Sequence, residues 1–141
     1  MITLKEYLTS SGKYPDRLTS KELTAELLSN ASELLSKVRL MLTEIGYQAP
    51  LEVSSGFRPS TVNKAIATAS KTSLHQTCLA IDLMDDRQQS LGKLLASKPA
   101  MLKKYGLFIE DLDSTKGKLT NWVHLDASPT RTDRPTRMFK P

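Results

Sequence analysis

The sequence predicts an α+β fold, with helices packed on a mainly antiparallel sheet. Three observations predict it: one long stretch of helical periodicity, several short runs of period-two alternation, and the irregular order in which they follow one another. With 141 residues, 39% of them hydrophobic and 25% charged, the chain fits one packed core, so a single domain over 1–141 is expected.

The elements follow in order. Met1 to Ser11 carries Lys5 and Glu6 among scattered apolar residues and no continuous apolar stretch, so it does not read as an export signal. The expectation is a protein made in the cytoplasm that reaches any external site by another route. Thr19 to Gly46 reads as the longest helix. Thr19 and Glu22 have capping-box spacing, Leu23, Leu27, Leu34, Val38, Leu42 and Ile45 recur at helical intervals, and Gly46 supplies the stop.

After Pro50 the period changes. Leu51 to Ser54 reads as a short strand, Ser60 as the cap of a second helix through about Ala69, and Thr68 to Ser73 as a polar loop. Cys78 to Leu83 alternates, with Leu79, Ile81 and Leu83 on one face and Cys78, Ala80 and Asp82 on the other. Arg87 to Tyr105 reads as a helix interrupted near Pro99, and Leu107 to Glu110 and Trp122 to Leu125 as two further strands. Residues 51–126 thus form the core, followed by a basic tail over 127–141.

A formal charge of +5 favours acidic partners, but much of the excess is terminal: Arg131, Arg134, Arg137 and Lys140 face Asp133 alone. Such a tail reads as a solvated end. No interleaving of aromatic and basic residues and no zinc-finger spacing supports specific nucleic-acid reading. No apolar run approaches the twenty or so residues needed to cross a bilayer. Cys78 is the single cysteine, which excludes an internal disulfide and any multi-cysteine metal site. Oligomeric state leaves no trace in the sequence.

Two histidines and one aspartate stand out. Asp82 lies in an apolar strand, where an unpaired carboxylate is costly to bury, and a metal ion would compensate it. His124 shares its strand face with Trp122 and Asp126, away from Val123 and Leu125. Seven residues would separate His75 from Asp82 by about 23 Å in a strand or about 10 Å in a helix, too far for one ion. Shared coordination therefore requires the His75 loop to fold back over the strand. Two imidazoles and one carboxylate would leave zinc a net positive charge and one open position for water. The spacing alone favours a second arrangement: His75 on a surface loop, Asp82 paired with a lysine and His124 a satisfied, half-buried histidine.

The neighbouring residues add a resemblance. Ser55-Gly56-Phe57-Arg58-Pro59, Asn63, Ser73-Leu74-His75, Ala80-Ile81-Asp82 and Trp122-Val123-His124 together resemble the D-Ala-D-Ala carboxypeptidase and L-alanyl-D-glutamate peptidase family of zinc peptidases, including phage-endolysin-type members. The resemblance covers about Leu51 to Asp126. It implies a Hedgehog-like fold, Zn²⁺ held by His75, Asp82 and His124, and hydrolysis of stem peptides of bacterial peptidoglycan after phage-type release or from a virion. Arg58 matches the arginine that binds substrate or polarises its carbonyl; Ser73 would hold the His75 loop, and Trp122 would serve as a substrate platform or as core.

Two positions depart from the pattern. Cys78 replaces a glycine, so its loop is expected to turn differently. Asn121 stands where many members place the acidic general base, and an amide cannot take a proton from water. Glu110 is the favoured substitute, with Asp126 as the other candidate or as a partner of His124. Asn121 also keeps open a non-hydrolytic relative that binds cell wall or builds a phage particle.

Overall fold

The computed structural model describes residues 2–10, 17–66 and 69–141. Thr68, the first residue of the expected polar loop, lies outside them. The elements are helices α1 (Leu4–Thr9), α2 (Ala25–Glu44), α3 (Ser60–Ala65), α4 (Ser90–Ala96) and α5 (Pro99–Lys104), and strands β1 (Val53–Ser55), β2 (Ala80–Asp85), β3 (Phe108–Glu110), β4 (Asn121–Asp126) and β5 (Met138–Phe139).

The long helix forms later than the sequence reading placed it. Thr24, not Thr19, caps α2, its side chain accepting from the Leu27 N–H. Glu22 reaches another element: its carboxylate accepts from the Ser60 N–H at 2.8 Å and the Ser60 hydroxyl at 2.6 Å. Ser60 is the first residue of α3, with Pro59 in the cap position, and α3 ends at Ala65, short of Ala69. The expected stop of α2 holds. Gly46 has φ +72°, and Tyr47 N–H to Leu42 O with Gly46 N–H to Thr43 O close the turn.

The five strands run in the order β1-β2-β4-β3-β5, antiparallel except for the parallel pair β3–β5. One face of the sheet is core. Ile81, Leu83, Ile109, Val123 and Leu125 pack there with Leu34, Leu35, Val38 and Met41 of α2. Each such apolar side chain contributes about 1.5–3 kcal/mol on burial. The opposite face carries Asp82, Glu110, Trp122, His124 and Asp126 by strand alternation. Helices α4 and α5 are two separate helices, because Pro99 starts α5 at its first turn.

Two elements were not anticipated. The helix α1 uses a capping box at Thr3 and Glu6, both halves of which are made. The C-terminal segment is not a solvated tail. It returns as β5 beside β3, with Arg137 6% exposed and Phe139 8% exposed.

Candidate metal centre

Asp82 and His124 are direct cross-strand neighbours on β2 and β4, so one face of an antiparallel pair brings carboxylate and imidazole together. His124 Nδ1 lies 2.7 Å from Asp82 Oδ1. His75 arrives from the loop, as the spacing argument required. A 3-10 turn, Leu74–Thr77, is capped by Ser73, whose hydroxyl accepts from the His75 N–H at 3.4 Å. The turn closes with Cys78 at φ +57°, the left-handed conformation that glycine adopts most readily. The loop thus keeps a glycine-like turn despite the cysteine. Burial pushes the Cys78 thiol up to about 11, and the residue packs in the core as a neutral thiol.

The His75 ring is directed by the backbone. Its Nδ1 lies 2.8 Å from the Gly56 carbonyl, so that nitrogen carries the proton and donates. Its Nε2 faces Asp82 Oδ1 at 3.3 Å, is buried, and has no hydrogen-bond partner. One atom from each of His75, Asp82 and His124 lies within 4.8 Å of the others, the group of metal-ligand type found among the described residues. Bonds of 2.0–2.2 Å in a tetrahedral site place ligand atoms about 3.4 Å apart, close to the His75–Asp82 spacing. Two imidazole nitrogens, one of them buried and partnerless, and one carboxylate oxygen fit a divalent metal such as zinc.

The charges around the centre are mutually compensating. Burial by itself would raise the Asp82 pKa, but the hydrogen bond and positive charge of His124 hold it well below the usual range. Asp82 is paired with the guanidinium of Arg58, not with a lysine: Arg58 Nη2 donates to Oδ2 at 2.7 Å while its Nε donates to Ser55 Oγ at 2.7 Å. An irregularity between Val53 and Ser55 shifts the register of β1 against β2 and sets Ser55 opposite Asp82. Burial lowers the His75 pKa and keeps that ring neutral. Burial opposes a charge on His124 too, yet the carboxylates of Asp126 and Asp82 outweigh it and push its pKa up to about 9.

The candidate general bases occupy different places. Glu110 Oε2 lies 3.9 Å from His124 Nδ1, the nitrogen that faces Asp82, and burial raises the Glu110 pKa. Asp126 stands on the other side of the ring, its Oδ2 3.7 Å from His124 Nε2, and is held by Arg131 through bonds of 3.2 and 2.6 Å. Asn121 lies on the opposite strand face, where its amide donates to the carbonyls of Asp86 and Arg87. A side chain there is turned away from the centre, so its being an amide costs the centre nothing in this arrangement.

All of this opens into a cleft of about 850 Å³, lined by Arg58, Ser73, Trp122 and Glu110 around the three histidine and aspartate side chains. The sequence reading missed part of its wall. Arg131 and Phe139, from the returning C-terminal segment, line it with the Arg131 guanidinium carbon 3.3 Å from the Phe139 ring centre. The missed signal was an arginine and an aromatic within one short segment, which the charge count alone had assigned to solvent.

A family model described as Peptidase M15 matches residues 11–126. No curated protein matches the chain. The five-strand α+β architecture is compatible with that family, and the matched span holds His75, Asp82 and His124. The chain belongs to the Peptidase M15 family.

Proposed function

We propose that this peptidase relative is a zinc-dependent hydrolase of peptide bonds in the stem peptides of bacterial peptidoglycan. The observation that carries the reading is the convergence of His75 Nε2, Asp82 Oδ1 and His124 Nδ1, with His75 Nε2 buried and without a hydrogen-bond partner. Zinc at these three residues would supply Lewis-acid polarisation of a peptide carbonyl and an activated water.

The chain's own residues supply the rest. Glu110 faces the cleft beside His124 and, with its pKa raised by burial, is suited to take a proton at neutral pH. Arg58 presents a fixed positive charge beside Asp82, where it can steady that ligand and grip a substrate carboxylate or developing oxyanion. Ser73 keeps the His75 turn closed, and Trp122 offers a flat wall to the peptide. Asp126 orients His124 from the far side. One hydrophobic cluster joins α1, α2, the sheet, α4 and α5, which supports reading 1–141 as one peptidase-like domain. No described helix is long and apolar enough to cross a membrane. We place the work at the cell wall, after phage-type release or within a virion, on the strength of the family resemblance.

The test is digestion of purified peptidoglycan by the zinc-loaded protein, with mass spectrometry of the released peptides. Peptide products that disappear on chelation and in His75→Ala support the reading. A protein that takes up zinc and releases nothing points instead to a wall-binding or structural relative.

A further inference from the structure

The metal centre takes part of its order from residues that precede the matched span. The Gly56 carbonyl that receives the His75 Nδ1–H belongs to a backbone segment pressed against the end of α1. A Cβ on Gly56 would lie 1.9 Å from the Tyr7 carbonyl oxygen, so only glycine permits this approach. Two N–H groups of the segment are held by α1 and its C-terminal cap: Phe57 donates to Tyr7 O at 3.3 Å, and Gly56 donates to the hydroxyl of the cap residue Ser10 at 2.7 Å.

Ser10 is the centre of this junction. Its oxygen accepts from Gly56 and from Arg17 Nη1 at 3.1 Å, and its proton is donated to Tyr7 O at 3.2 Å. A hydroxyl has one donor and two acceptor positions, and all three are used. The side chain is 6% exposed, so water cannot readily replace a lost partner. The same helix reaches the second ligand segment, because the Tyr7 hydroxyl donates to Ala80 O at 2.9 Å, two residues before Asp82.

We propose that Ser10 is a positioning residue for the metal centre. Its hydroxyl fixes the two peptides that flank the Gly56 Cα, the Ser55–Gly56 peptide directly and the Gly56–Phe57 peptide through the shared Tyr7 carbonyl. It thereby holds the acceptor that keeps the His75 proton on Nδ1 and leaves Nε2 bare toward Asp82 and His124. Without that acceptor the imidazole is free to carry its proton on Nε2, where it cannot ligate a metal. The inference rests on the zinc reading of the site.

The experiment is a zinc titration against a chromophoric chelator on the wild-type chain, Ser10→Ala, Ser10→Cys and Val38→Ala. Thermal unfolding of each metal-free protein confirms that it is folded at the titration temperature. Val38, in the core of α2, supplies a destabilised variant remote from the centre. Wild type and Val38→Ala are expected to bind equally, Ser10→Ala about tenfold or more weakly, and Ser10→Cys in between. Wild-type affinity in Ser10→Ala, or a loss in Val38→Ala as large as its own, overturns the inference alone. Should Ser10→Ala not fold, wild-type affinity in Ser10→Cys overturns it. A wild-type chain that takes up no zinc overturns the zinc reading, and this inference with it.

Discussion

Asp82 is the side chain on which the site turns. One oxygen faces both imidazoles and the other receives Arg58, so a carboxylate only 5% exposed is saturated by positive or polar partners. The apolar strand around it foretold that it would need compensation, and its pairing with Arg58 could not be seen because that contact spans two elements. The division of labour predicts that Glu110→Gln keeps its zinc while kcat falls by about 10²–10⁴-fold, measured by elemental analysis and peptide-release kinetics. Protons compete with the metal at His124. Its pKa of about 9 stands above the ordinary 6.5, so this pairing stabilises the metal-free protein fully below about pH 6.5 and is lost as pH rises through about 9. His75, neutral because burial lowers its pKa, keeps its Nδ1 proton and has none to lose from Nε2. Apparent zinc affinity should therefore rise about tenfold per pH unit from pH 7 toward 9 and then level off, as read by competition titration across that range.

At the scale of elements, alternation was legible and pairing was not. The strand β4 was visible because Val123 and Leu125 alternate with Trp122 and His124, and that period survives in the folded sheet. The pattern Thr-x-x-Glu occurs at both Thr3–Glu6 and Thr19–Glu22, and only the first is a capping box. Glu22 is drawn to Ser60 across 38 residues of chain, a contact no local rule contains. The C-terminal segment misled for a related reason. Two of its three arginines are drawn inward while Arg134 is exposed: Arg137 donates to Leu107 O at 2.9 Å and lies 3.5 Å from the Phe108 ring centre, and Arg131 holds the fully buried Asp126. Arg131→Ala leaves that carboxylate without its guanidinium, and should lower stability by about 2–4 kcal/mol in urea unfolding. If the segment were merely solvated, the same variant would unfold with the wild type.

For the whole molecule, the sheet separates two tasks. Its apolar face, packed with α2, supplies stability, and its polar face holds three potential ligands drawn from two strands and one turn. Their convergence was legible through the family resemblance; two strands of clear alternation and a loop able to fold back permitted it without requiring it. The support behind His75, through Gly56, Ser10 and α1, was not legible, since backbone carbonyls and a single serine carry no pattern. The proposed hydrolysis depends on one ion held at one place. Anomalous scattering at the zinc edge, from crystals grown with zinc, tests it most directly. The predicted map has one peak bounded by His75 Nε2, Asp82 Oδ1 and His124 Nδ1, with Glu110 on the side open to the cleft. A map with no peak there, or with zinc held by other side chains, would contradict it.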